Sequence, residues 1–229
     1  MTESERKRPI RSFVLRTGRM TPGQQRSFDS NWSRWGLQPE DGPIDYDVIF
    51  GARGTRVLEI GFGMGQSLAA MAQQSPEHQF IGVEVHRPGV GKLFHTLEAE
   101  GIDNVRAYCH DAVEILENCI APNSLDVIQI FFPDPWHKKR HHKRRLIQPG
   151  FVALLRTRLA PGGRLHLATD WENYAEQMLE VLESSDGFEN VAGAGRFHPR
   201  PEYRPQTKFE TRGEKLGHGV WDLVFTRSG

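Results

Sequence analysis

A glycine turn, four carboxylates and one basic run are the residues of this 229-residue chain whose types and spacing could do chemistry. The turn reads Leu58-Glu59-Ile60-Gly61-Phe62-Gly63-Met64-Gly65. Its spacing is GxGxG, not the GxGxxG of dinucleotide-binding turns. Glycine lets a backbone turn sharply and approach a ligand closely. A helix that starts here would aim its free N–H groups at a pyrophosphate or at an amino-acid carboxylate. Glu59 adds a negative charge beside those donors, which disfavours a polyanion and favours a ligand carrying an amine or another cation. Glu84 follows 19 residues after Gly65, where a carboxylate can accept from two vicinal ribose hydroxyls. Asp111 is placed to accept from an adenine amino group. It also precedes an apolar segment with Glu114 three residues on, so a helix-capping role is compatible with the first.

The fourth carboxylate stands in Phe131-Phe132-Pro133-Asp134-Pro135-Trp136. Two prolines fix the backbone around Asp134 and remove two N–H donors. A stiff acidic loop beside a Trp suits a site that must meet a substrate ring. A rigid turn is the plainer alternative. Next comes His137-Lys138-Lys139-Arg140-His141-His142-Lys143-Arg144-Arg145, six Lys or Arg and three His. Such runs are often solvated faces. Leading away from the acidic loop, this one would hold phosphates near a target base. Its histidines are not spaced as metal ligands, and no metal is expected. Asp170, in Ala168-Thr169-Asp170-Trp171, could cap the helix that follows.

The elements that must position these groups are legible from residue 56 onward. Apolar runs of strand length at 56–60, 79–85, 104–109, 125–132 and 164–169 alternate with helical segments at 64–74, 89–100, 112–119, 149–159 and 172–184. Segments 208–212 and 219–227 read as a closing hairpin. Continuous apolar strands alternating with helices predict an α/β fold, a mostly parallel sheet with helices on both faces. Ligands of such sheets lie beyond the C-terminal strand ends, where every acid above is found. Residues 1–55 differ: basic side chains, Gly and Pro are frequent and apolar periodicity is weak, with one short helix over 24–35. The expected organisation is a basic, irregular N-terminal region, 1–55, and one domain, 56–229.

Composition narrows the class. Lys plus Arg is 29 and Asp plus Glu is 29, so attraction to a polyanion must come from uneven charge placement. With two cysteines in all, a disulfide scaffold and a zinc site built from four thiolates are both excluded. No apolar stretch has the length of a membrane span, and residues 1–8 lack a signal-peptide pattern, so a cytoplasmic protein is expected.

The segments LEIGFGMG, GVEVH, CHDAVE, FFPDPWHKKRHHKRR, ATDWENYAE, TKFE and LGHGVWDL, with the early RSFVLRTGRMTPGQ, resemble the bacterial tRNA (guanine-N7-)-methyltransferase family over nearly all of residues 11–227. The resemblance implies a Rossmann-like class I methyltransferase fold, with a seven-stranded sheet ending in an antiparallel hairpin. It implies S-adenosyl-L-methionine as donor and methyl transfer to N7 of guanine 46 in the variable loop of tRNA. By the same resemblance Glu59, Gly61, Gly63, Gly65, Glu84, Asp111 and Asp134 bind the donor, and Asp134 is catalytic. Lys138, Asp170, Thr207, Lys208, Phe209 and Glu210 contact the substrate, and Arg140, His141, His142, Lys143, Arg144 and Arg145 contact RNA. No partner subunit is required, and monomer and homodimer both stay open. Other classes remain: a methyltransferase acting on another RNA or a small molecule, an RNA-binding protein without activity, and a nicotinamide dehydrogenase, disfavoured by the glycine spacing.

Overall fold

The computed structural model describes residues 19–51, 53–206, 210 and 219–229. The described chain runs α1 (Pro22–Trp35), β1 (Gly36–Leu37), α2 (Tyr46–Phe50), β2 (Arg56–Ile60), α3 (Gln66–Gln74), β3 (Gln79–Val83), α4 (Arg87–Glu100), β4 (Val105–Tyr108), α5 (Ala112–Asn118), β5 (Leu125–Phe131), α6 (Pro149–Arg158), β6 (Leu159–Thr169), α7 (Glu172–Glu183), β7 (Phe188–Asn190) and β8 (Trp221–Arg227). The strands form one sheet in the order β1-β4-β3-β2-β5-β6-β8-β7. Every pair from β1 to β6 is parallel, and β8 is antiparallel to both β6 and β7. Strand order reverses between β2 and β5, so the crevice at that switch point opens above their C-terminal ends.

Alternation along each strand feeds two separate cores. Leu58, Ile60, Ile128, Ile130, Leu165 and Leu167 pack with Ile115 of α5, Leu155 of α6 and Met178 of α7 on one face. Val57, Phe80 and Val105 pack with Leu68 of α3 and Leu93 of α4 on the other. This two-sided burial is why the strands read as unbroken apolar runs.

Helix α1 starts where its sequence dictates. Thr21 accepts from the Gln24 amide at 3.3 Å, the Gln24 side chain accepts from the Thr21 amide at 2.9 Å, and Pro22 occupies the first turn. Phe28, Trp32 and Trp35 then line one stripe against Phe94 of α4, with ring centroids 6.2, 5.9 and 6.0 Å away. The weak periodicity expected before residue 55 thus hides an aromatic face that seats α1 on the sheet's cover.

Among the described residues the sheet carries two strands that were not expected, β1 and β7, of two and three residues. The hairpin segment expected over 208–212 lies outside the described residues except for Glu210, which is helical and not extended. Strand β8 pairs with β6 and the three-residue β7 instead. Strand β6 begins at Leu159, ahead of the expected 164, and its register with β5 shifts between Leu125 and Val127.

Candidate active site

Because β2 to β6 run parallel, the residues that follow them share one edge of the sheet. Along the order β4-β3-β2-β5-β6 that edge carries Asp111, Glu84, the glycine turn with Glu59, Asp134 and Asp170. The glycine turn and Asp134 therefore border the switch-point crevice from its two sides.

The turn is glycine-dependent. Gly61, Gly63 and Gly65 have φ of 76°, 58° and 74°. A Cβ on Gly65 would come within 2.7 Å of Leu93, so the left-handed conformation and the packing of α4 both demand glycine there. A Cβ on Gly61 or Gly63 would meet nothing within 4 Å, which leaves open space above the turn. Gly65 caps α3 without a side-chain bond, so the first amides of the helix point into that space. The helix starts two residues later than expected because Met64 still belongs to the turn.

Three acids lie around it. Glu84 accepts from the Gly63 amide at 2.8 Å with one oxygen and from the His86 amide at 2.9 Å with the other, which fixes the carboxylate plane and leaves a lone pair on each oxygen. Asp111 accepts from the Val113 amide at 2.9 Å and caps α5, while Glu114 turns to His110 at 2.6 Å rather than closing a capping box. Glu59 is 2% exposed, and its Oε2 has no partner among the described residues. Burial, and then the like charge of Glu84, push its pKa from an ordinary 4.5 up to about 8. A buried acid without a partner, beside an open turn and free helix amides, fits a ligand that brings a cation and a carboxylate. S-adenosyl-L-methionine has both.

The loop after β5 is held in a strained shape. Phe132 and Trp136 have φ of 53° and 47°, left-handed values that are uncommon for bulky residues, and they bracket Pro133-Asp134-Pro135. The Phe132 amide still donates to Ala168 of β6 at 2.8 Å, so the turn departs from a fixed point. Asp134 is exposed, and its carboxylate has no hydrogen-bond partner among the described residues. Trp136 is half-buried, with the Arg144 guanidinium 4.6 Å above its ring. The exposed Trp beside the loop is Trp171, whose ring lies 4.3 Å from that of His137. Asp170 is half-buried and also without a partner among the described residues. It does not cap α7 as expected: Trp171 holds the cap position, and the Thr169 hydroxyl accepts from the Trp171 amide at 3.3 Å.

The basic run forms a 3-10 helix, Lys139–Arg144. Lys138, Arg140 and Lys143 are exposed, as is Lys139, while His141, His142 and Arg144 are half-buried. Desolvation, and then Arg140, Arg144, Lys138 and Lys143, hold the His141 pKa below its ordinary value. Arg145, expected to contact RNA, is placed differently from the exposed members of the run. It is 2% exposed and hydrogen-bonded within the protein, because the run ends by turning into the core at Ile147.

Glu210, expected to contact the substrate, lies inside the protein. It is buried, and the Arg204 Nη2 donates to it at 2.6 Å. Arg204, fully buried, donates to both oxygens of Asp222, at 2.6 and 2.8 Å. His166 meets Asp222 at 2.7 Å, and Tyr203 meets the other His166 nitrogen at 3.0 Å. Burial alone would raise the Asp222 pKa, but its bonds with His166 and Arg204 outweigh that and hold it below the ordinary range. Arg204 lies 5.8 and 5.7 Å from the rings of Phe131 and Phe132, so this network supports the base of the acidic loop. Nothing in the spacing of Tyr203, Arg204 and Asp222 marks them as partners; only the antiparallel return of β8 brings them together. Thr207, Lys208 and Phe209 lie outside the described residues. Among the described residues no group of three or more His, Cys, Asp or Glu could hold a metal ion, and no helix is long and apolar enough to cross a membrane.

A family model described as "Putative methyltransferase" matches residues 53–223. A tRNA (guanine-N(7)-)-methyltransferase of Alcanivorax borkumensis is 60% identical over 220 residues, covering 96% of this chain and 92% of that one. The enzyme of the same name from Ectopseudomonas mendocina is 58% identical over 228 residues, covering 99% and 96%. That of Saccharophagus degradans is 55% identical, covering 97% of each. Among solved structures, the 16S rRNA methyltransferase KamB superposes with a TM-score of 0.57 at 14% identity, over 94% of this chain and 97% of that one. The [4+2]-cyclase SpnF gives 0.53 at 19% identity, over 90% and 80%. At those identities the structural likenesses speak for the fold alone.

Proposed function

We propose, for a chain that belongs to the tRNA (guanine-N(7)-)-methyltransferase family, that the guanine it methylates at N7 is residue 46 in the variable loop of tRNA. S-adenosyl-L-methionine supplies the methyl group as a sulfonium electrophile. The observation that carries the site assignment is the row of acids at the C-terminal ends of β4, β3, β2 and β5, with the open glycine turn among them. Glu59, with the α3 amides, is assigned to the cationic and carboxylate ends of the donor. Glu84 is assigned to its ribose hydroxyls and Asp111 to its adenine amino group.

Guanine N7 has a lone pair and no proton, so no general base is needed to make it nucleophilic. The work left to the chain is to hold N7 at near-attack distance, about 3–3.5 Å from the methyl carbon, and to meet the positive charge that arrives on the ring. The Asp134 carboxylate, free and carried on a strained loop at the crevice, is suited to both tasks. It can accept from a guanine N–H or stabilise the developing charge. Asp134→Asn separates the two, since the amide oxygen still accepts while the charge is gone.

Lys138, Lys139, Arg140 and Lys143 are exposed on a short helix that starts at the end of that loop, which supports a phosphate-binding role. N7 of an A-form helix lies in a deep, narrow groove that side chains reach poorly, so an accessible guanine in a loop is the fitting target. The division into a basic region, 1–55, and a methyltransferase domain, 56–229, belongs to the same proposal, with α1 packed onto that domain. So does a cytoplasmic location, where newly made tRNA is found. The test is transfer of labelled methyl to unmodified tRNA, followed by N7-specific strand cleavage. A cut at position 46 is expected; a cut elsewhere, or label resistant to cleavage, overturns the assignment.

A further inference from the structure

The last residue of the basic run faces inward. Arg145 has five N–H donors, and the structure gives each an acceptor. Nε donates to the Pro135 carbonyl at 2.8 Å. Nη1 donates to Gln177 Oε1 at 2.5 Å and to the Asn173 carbonyl at 3.4 Å. Nη2 donates to Asn173 Oδ1 at 3.0 Å and meets His142 Nε2 at 3.1 Å. The guanidinium also lies 4.7 Å from the ring centre of the buried Tyr174. Asn173 and Gln177 are four residues apart on α7, so both present to the same side of that helix. A rigid, planar guanidinium can bridge these groups at once; an ammonium cannot.

The bond to Pro135 is the informative one. Pro133 and Pro135 have fixed φ, and each restricts the residue before it. The segment is therefore stiff within itself, and its remaining freedom is to swing about its ends at Phe132 and Trp136. A hydrogen bond from a buried charge to the carbonyl of Pro135 removes that swing, one residue from Asp134. We infer that Arg145 is a positioning residue for Asp134, tying the acidic loop to α7 through the Pro135 carbonyl, and not a phosphate contact. The inference rests on the role given to Asp134 above.

The test uses the full chain with unmodified tRNA and saturating donor. Arg145→Gln removes the charge. Gln177→Leu removes one acceptor that orients the guanidinium and leaves the charge in place, so it carries the test if the first variant does not fold. For both, kcat is expected to fall about 10- to 100-fold, as small misplacements of a reacting group do. KM for tRNA should stay within about twofold, and the salt dependence of tRNA binding should be unchanged. Amide hydrogen exchange at Trp136–Lys138 should quicken in the free protein. A tRNA affinity that weakens at unchanged kcat, with a log K against log salt slope shallower by about 0.7–0.9 in Arg145→Gln, would make Arg145 a phosphate contact. Unchanged kcat in both variants, or a kcat loss matched by an equal loss of donor-binding protein, would equally overturn it. Asp134→Asn, run alongside, tests the underlying assignment separately. If that variant keeps full turnover, the role of Asp134 fails, while the exchange rates still report whether Arg145 pins the loop.

Discussion

Glu59→Gln should remove a large part of the pH dependence of folding stability. In the folded protein the Glu59 carboxyl is buried, one oxygen is unpartnered, and Glu84 is near enough to repel its charge; its pKa is pushed from 4.5 to about 8. The folded state thus holds this proton more tightly than the unfolded chain does. The stabilising contribution of this group is therefore complete below about pH 4.5 and is lost as pH rises toward 8, because the unfolded chain releases the proton first. Between the two pKa values the slope is about 1.4 kcal/mol per pH unit, so roughly 2–3 kcal/mol disappears between pH 5 and pH 7. Glutamine has nearly the same shape and no proton to lose. Urea unfolding of both proteins at pH 5, 6 and 7 gives the stability difference at each pH. The variant should gain on the wild type by roughly 2–3 kcal/mol across that range, with m unchanged. Parallel curves for the two proteins would show that Glu59 ionises normally, and the buried, unpaired carboxyl would be refuted.

The same protonation links to the donor. A cationic ligand beside Glu59 favours its ionised form, so donor binding near pH 7 should release close to one proton, seen as a buffer-dependent binding enthalpy. Equal enthalpies in two buffers of different ionisation heat would contradict this, and Glu59→Gln should show no release. Binding of tRNA should weaken steeply with salt: four phosphates held by Lys138, Lys139, Arg140 and Lys143 give a slope of about −3 to −4. A flat dependence would remove that helix from the interface. Arg204→Met should cost about 3–5 kcal/mol, because it removes the guanidinium bonds from the buried Asp222 and Glu210. A loss below about 1 kcal/mol would mean that the network relaxes freely.

The parallel part of the fold was legible because its strands are buried on both faces and read as unbroken apolar runs, as at Arg56–Ile60 and Gln79–Val83. The glycine turn and the strand-end acids were legible because local backbone chemistry fixes where they sit. Strands β1 and β7 were not, being two and three residues long, too short for any periodicity. Nor does a charge run announce which member turns inward: Arg144 and Arg145 are the same residue type, and only the approach of α7 distinguishes them. Asp170 illustrates the opposite error. The residue type suits a cap, but Trp171 takes that position and leaves the carboxylate free at the crevice. Glu210 and Arg204 are six residues apart, yet their pairing is settled by β8, which delivers Asp222 from beyond both.

In the proposed reaction a ring nitrogen, delivered by RNA beside Asp134, attacks a methyl donor cradled by the strand-end acids. Its most direct measurement is labelled methyl transfer to a tRNA carrying 7-deazaguanosine at position 46, where carbon replaces N7 and no lone pair remains. Binding comparable to that of the unmodified tRNA is expected, with no label incorporated. Incorporation at the normal rate would place the reaction on another atom and contradict the proposal.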